Sequence, residues 1–73
     1  MKLYAVFWKE EDTYVIKEVF TNVTTQGKTI EEAIENLKEA VGLYLEEMPE
    51  LVGEIENIDL VGALNVEVAK TIR

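Results

Sequence analysis

The chain of 73 residues contains no cysteine, no histidine and a single proline. Without cysteine there can be no disulfide framework, no thiolate chemistry and no zinc site with sulfur ligands. Without histidine the chain also lacks the usual metal ligand and the usual general base near neutral pH. These absences exclude the commonest kinds of small metalloprotein and weigh against an enzyme.

Long hydrophobic runs are absent as well. Residues 1–12, MKLYAVFWKEED, hold a short apolar stretch before charges resume, which is too short for the core of a signal peptide. Nothing approaches the roughly 20 apolar residues of a membrane span. We therefore expect a cytoplasmic protein. A chain of this length forms one domain, residues 1–73, with a marginal core, so we expect it to be stabilised by association.

Basic residues are scarce, because 7 Lys and Arg face 15 Asp and Glu, for a formal net charge of −8. The acidic excess is concentrated between residues 29 and 60, where Lys38 is the only basic residue. Such a surface repels phosphate backbones, so we expect no nucleic-acid binding. It is either a solvated surface or an attractant for a basic protein.

One helix organises the chain. Thr29 is the predicted N-cap, and Glu32, three residues later, completes a capping box. Pro49 predicts that the helix ends near Glu47. One face of this helix is apolar by its spacing of three and four residues. That face consists of Ile30, Ala33, Ile34, Leu37, Val41, Tyr44, Leu45 and Met48.

Three strands are predicted before this helix. They span residues 2–8, 14–20 and 23–26, with a hairpin loop at residues 9–13. Gly27 is expected to supply a positive φ where the chain leaves the sheet. Residues 49–60 fit a short second helix about as well as a packed loop. Apolar and polar residues alternate again over residues 63–72, which predicts a final strand.

This order predicts an α+β fold of β-β-β-α-β topology. A right-handed crossover would place the last strand parallel to the first, in a four-stranded mixed sheet of order 3-2-1-4 with one helix on one face. The first strand is then central. We expect Leu3, Ala5 and Phe7 to face the helix. The side chains on the other face of this strand are those of Tyr4, Val6 and Trp8, and nothing in the chain is expected to cover them. They predict self-association as a homodimer or higher homo-oligomer.

Carboxylates are the only side chains that could support catalysis. A two-metal nuclease would need acids from the first strand, the helix and the last strand. The first strand has none, and the last has only Glu67. We therefore expect no catalytic residues, no metal and no cofactor. Glu31, Glu35 and Glu39 form a series of like charges at i, i+4, which either a cationic partner or solvation could relieve.

The segment from Tyr14 to Glu47 resembles the HicB-like antitoxin family. The family has a G-Y-x-V strand, the run P-D-L-P-G-C, a T-x-G-D-T turn and E-E-A-x-x-N-x-x-E-A on the helix. The run EVFTNV, residues 18–23, and Lys28 depart from that pattern. The matching residues are Tyr14, Val15, Thr25, Gly27, Thr29, Glu31, Glu32, Ala33, Asn36, Glu39 and Ala40.

The resemblance implies a partial RNase H-like fold without a nuclease centre. It also implies an antitoxin that binds a HicA-type toxin, a small basic protein that cleaves RNA. By charge complementarity to such a basic partner, we expect Glu31, Glu35 and Glu39 to form the partner-binding face. Many family members carry a C-terminal DNA-binding domain, whereas this sequence ends at Arg73, so a stand-alone domain is expected. The alternative is a self-associating structural or regulatory domain that has no toxin partner and no catalytic activity.

Overall fold

A computed structural model of the chain describes residues 1–70. Three strands form an antiparallel sheet in the order β1-β2-β3, and two helices follow them. The order of elements is β-β-β-α-α. Their bounds are β1 Ala5–Glu10, β2 Thr13–Glu18, β3 Thr24–Gly27, α1 Ile30–Glu47 and α2 Glu50–Glu56.

The predicted four-stranded mixed sheet with a single helix is wrong. Within residues 1–70 no strand follows α1, so β1 is an edge strand rather than a central one. Residues 57–70 have neither helix nor strand, and the last two residues of the predicted strand, 71 and 72, lie outside the described part. Alternation of side chains indicates a preference for extended backbone, but a strand also needs a neighbour to pair with.

The segment after α1, for which a helix and a loop fitted equally well, forms the helix α2. Pro49 lies just before it with φ −61°, an angle that its ring already imposes and that suits a helix start. Ile55 is the buried residue of this helix. The short helix α2 therefore follows α1 directly and precedes an exposed segment.

The main helix α1 matches its prediction closely. The N–H of Glu32 donates to the Thr29 hydroxyl at 3.1 Å, which confirms the N-cap, and the helix ends at Glu47. The Glu32 carboxylate accepts from the N–H of Lys28, at 3.0 Å. A capping box would direct it to the N–H of the cap residue instead, so this carboxylate reaches one residue farther back.

The core lies between α1 and β2. Ile16 packs with Ala33, Leu37 and Val41, all of them buried, so the predicted apolar face supplies the core. Ile34 and Leu45 pack at its margin. Tyr44 and Met48, toward the C-terminal end of that face, remain exposed.

Polar contacts join α1 to β3. The hydroxyl of Thr25 donates to the carbonyl of Ala33 at 3.0 Å, and the side-chain amide of Asn36 donates to the carbonyl of Gln26 at 2.8 Å. A Cβ on Gly27 would lie 2.6 Å from the Ala33 nitrogen, so only glycine permits this approach. The predicted positive φ at Gly27 is wrong, since no described glycine has one. The constraint is proximity to the helix.

Replacing Leu37 by alanine tests the role of the α1 core. We expect Leu37→Ala to lower the free energy of unfolding by about 2–5 kcal/mol, because a buried side chain leaves a cavity in a small core. Leu43→Ala is the matched control, since Leu43 lies on the same helix and is 57% exposed. Urea unfolding of both variants decides the matter. Equal midpoints for Leu37→Ala and Leu43→Ala would contradict this assignment of the core.

Candidate functional site

The outer side of α1 carries the predicted partner-binding residues. Glu31, Glu35 and Glu39 are all exposed and follow one another at i, i+4 along the helix; we call them the acidic helix face. Lys38 lies 3.4 Å from the Glu35 carboxylate, and both side chains are largely exposed. An exposed pair of this kind contributes little to stability, so the face stays predominantly negative and accessible.

The sheet surface opposite α1 carries the predicted self-association residues. Tyr4, Val6 and Trp8 are 37%, 49% and 40% exposed, and we call them the aromatic sheet face. The Tyr4 ring meets the Phe20 ring edge-on, with centroids 6.0 Å apart. The indole N–H of Trp8 donates to the Glu10 carboxylate at 2.9 Å. These contacts orient the two rings but leave apolar surface in solvent.

A third surface was not predicted. An apolar groove of about 520 Å³ lies between β1 and α1, on the helix side of the sheet; we call it the β1 groove. It exists because α1 packs over β3 and β2 and does not reach across β1. Phe7, expected under the helix, does face its side of the sheet but is 55% exposed. The principal lining residues are Leu3, Ala5, Phe7, Ile34, Leu37 and Val41.

A fully buried carboxylate, that of Glu18, is among the groups that line this groove. Its side-chain oxygens accept from three backbone N–H groups, those of Tyr4 at 3.3 Å, Phe20 at 3.0 Å and Thr21 at 2.7 Å. Backbone donors satisfy the carboxylate, so its burial needs no cation. Glu18 joins the residues before β1 to the turn after β2.

Glu18 also explains a departure noted in the sequence. It begins the run EVFTNV, which replaces the family's P-D-L-P-G-C. Asn22 in this run has φ 63°, a left-handed conformation that asparagine tolerates better than most residues. Its N–H donates to the Glu18 carbonyl at 2.9 Å. A buried carboxylate and an asparagine thus build a turn without proline or glycine.

Candidate metal ligands do not cluster in the part of the chain that the structure describes: no three acidic side chains there are placed to hold an ion. The prediction that the protein is not an enzyme stays a prediction. Neither α1 nor α2 is long and apolar enough to cross a membrane.

Comparison with known proteins identifies the family. Residues 4–71 match a family described as "Family of unknown function (DUF7387)". The chain belongs to this family. Two curated relatives are similar to it. A UPF0150 protein of Archaeoglobus fulgidus is 36% identical over 70 residues, covering 93% of this chain and 96% of the relative. UPF0150 protein Ta0767 of Thermoplasma acidophilum is 40% identical over 50 residues, covering 66% and 72%. No solved structure matches the chain.

Sequence reasoning predicted the exposure of two of the three surfaces of this DUF7387 protein, and their roles in binding stay predictions. The acidic helix face and the aromatic sheet face lie where periodicity placed them, on opposite sides of the molecule. The β1 groove was missed because the predicted last strand was expected to cover that edge of β1. Glu18 was missed because a lone glutamate at the end of a strand usually faces solvent.

Proposed function

We propose that this DUF7387 protein is a HicB-like antitoxin, which binds a small basic RNA-cleaving toxin of HicA type and inhibits it. The observation that carries the proposal is the acidic helix face, an exposed row of carboxylates on the best-packed element of the chain. Its carboxylates would occupy the positions on the toxin where RNA phosphates otherwise bind. Competition for that surface would block RNA cleavage.

The residues that match the HicB-like pattern divide into two groups in the fold. Most of them fix α1 on the sheet: Thr29 caps it, while Thr25 and Asn36 donate hydrogen bonds between α1 and β3. The side chains of Glu31 and Glu39 form no hydrogen bond or ion pair with another residue between 1 and 70. Two motif residues without a structural contact, on one exposed helix face, support a role in binding a partner.

The charge of the whole chain supports the same partner. A net charge of −8 on 73 residues favours association with a basic protein and opposes binding to nucleic acid. In this proposal the protein is not an enzyme and uses no cofactor. It acts in the cytoplasm, where its toxin meets RNA.

Replacing the three carboxylates of the acidic helix face by amides tests the proposal. We expect the Glu31→Gln, Glu35→Gln, Glu39→Gln triple variant to associate more slowly with a HicA-type toxin than the parent does. Its association rate should also depend less on salt, because steering by these charges is strongest at low ionic strength. The fold should persist, since all three side chains are exposed. Stopped-flow mixing across a salt series measures these rates.

The control removes the same charge elsewhere. Asp12→Asn, Glu54→Gln, Glu56→Gln changes three exposed carboxylates outside α1 and should retain most of the parent's rate. If both triple variants associate equally fast and inhibit RNA cleavage equally well, the acidic helix face is a solvated surface and the proposal fails.

A second candidate function is a self-associating structural or regulatory domain without a toxin. The aromatic sheet face favours it, because Tyr4, Val6 and Trp8 present adjacent apolar surface to solvent. Aromatic residues with a polar handle are typical of protein interfaces. In this case the basic partner is absent and a second copy of the chain covers the face.

Sedimentation of a charge variant tests this candidate. Val6→Glu places a carboxylate between the two aromatic rings of the aromatic sheet face, and we expect it to lower the oligomer fraction at high micromolar concentration. An unpaired charge in an interface is costly. Leu43→Glu, at an exposed position on α1, is the control and should sediment like the parent. A parent that stays monomeric at this concentration would exclude the idea.

A further inference from the structure

The segment after α2 is strongly apolar and entirely exposed. Every residue from 56 to 70 is exposed, although residues 60–69, LVGALNVEVA, hold only two polar side chains. Leu64, Val66 and Val68 are 80%, 72% and 83% exposed and alternate with the two polar residues, Asn65 and Glu67. We call residues 62–70 the tail. Burial of these apolar side chains against another apolar surface would be favourable.

The free edge of β1 can accept another extended segment. The N–H of Val19 donates to the Tyr4 carbonyl, while the backbone groups of Glu18 bond on the other side, to Val23 and Asn22. In an antiparallel ladder, residue pairs that share backbone hydrogen bonds alternate with pairs that do not. The backbone N–H and C=O groups of Val6 and Trp8 therefore hydrogen-bond to β2. The backbone N–H and C=O groups of the odd-numbered residues of β1 therefore point away from β2, toward the open edge.

The β1 groove and the tail match in shape and chemistry. Ala5 and Phe7 line the groove from alternate positions of β1, so their side chains repeat every two residues. An extended segment beside β1 would repeat with the same period, which directs Leu64, Val66 and Val68 into the groove together. Asn65 and Glu67 would then lie on the opposite side of the sheet.

The tail of the same chain does not occupy this site. Every residue that lines the β1 groove belongs to residues 1–45, so α2 and the tail lie elsewhere. One copy therefore presents both an apolar groove and an apolar segment of the kind that would fill it. Reciprocal exchange between two copies would cover both at once, through a symmetric contact.

We propose that the β1 groove is a docking site for the tail of a second copy, which pairs with the free edge of β1 and buries Leu64, Val66 and Val68 against α1. The single chain keeps its three-stranded sheet, and the added segment belongs to the dimer. This assembly uses the helix side of the sheet and leaves both the acidic helix face and the aromatic sheet face accessible. This proposal does not depend on the proposal that the protein binds a toxin.

Because the chain has no cysteine, engineered thiols can test this contact. One full-length chain carries Ala5→Cys in the groove, and a second, with a size tag, carries Val66→Cys in the tail. After mixing and equilibration, a short bismaleimide should link the two chains into a product of the summed mass. A chain with Lys28→Cys, exposed beyond the far edge of the sheet, replaces the Val66→Cys chain as the control and should give little product.

Three results are possible, and each is decisive. A linked heterodimer whose yield rises with concentration supports tail exchange. A chain that carries both Ala5→Cys and Val66→Cys tests the alternative. If the two thiols link within one monomer, the groove binds the chain's own tail and the proposal is wrong. If neither product forms, the proposal fails as well. A dimer held only by the aromatic sheet face falls in this third class, so the two modes of association are separable.

A charge in the tail gives a second readout without thiols. Val66→Glu should raise the dimer dissociation constant at least about tenfold, because the carboxylate would enter an apolar groove. Asn65→Glu adds the same charge on the side that faces away from the groove and should leave the constant within about threefold of the parent's. Equal effects of the two substitutions in sedimentation would contradict the proposed orientation of the tail.

Discussion

The position of α1 on the sheet is the constraint on which the rest of this structure depends. A helix on a three-stranded sheet could lie over the middle strand, but here it is held toward β3. The close approach at Gly27 and the hydrogen bonds from Thr25 and Asn36 bring the helix to that edge. The buried core then forms between α1 and Ile16 of β2. What remains of the sheet, β1, is left without a cover.

Each exposed surface follows from that arrangement. The apolar side of α1 faces β2 and β3, so the carboxylates of the opposite side project into solvent as the acidic helix face. The other side of the sheet presents the aromatic sheet face. The offset of the helix opens the β1 groove, and the buried Glu18 is among the residues that line it. The position of α1 on the sheet thus leaves one charged surface and two apolar surfaces exposed.

Local signals predicted the local structure well. The cap at Thr29, the end of α1 at Glu47 and the buried positions Ala33, Leu37 and Val41 could all be read from spacing, because a helix is specified by residues close in sequence. The first three strands were also placed within a few residues. The hairpin turn proved shorter than predicted, with Glu11 in a left-handed conformation at φ 52°.

Long-range pairing was where prediction from sequence failed. Leu64, Val66 and Val68 alternate as a strand would, yet they pair with nothing in the described part of the chain. Periodicity identifies an extended segment without naming its neighbour. The role of Glu18 depends on a contact with Tyr4, which is distant in sequence, and that of Gly27 depends on close packing against α1. The residue types alone indicated neither contact. The same limit applies to the candidate site. The exposure of its two faces could be predicted from the sequence, but the β1 groove could not.

Residue-resolved amide hydrogen exchange at two protein concentrations tests the central claim, that β1 is an open edge which a second copy covers. The amides of Val6 and Trp8, which bond to β2, should be protected at both concentrations. Those of Ala5 and Phe7 should exchange rapidly in dilute protein and become protected as concentration rises. The account would be contradicted if the amides of Ala5 and Phe7 were as well protected as those of Val6 and Trp8 in the most dilute sample. It would also be contradicted if they stayed unprotected in the most concentrated one.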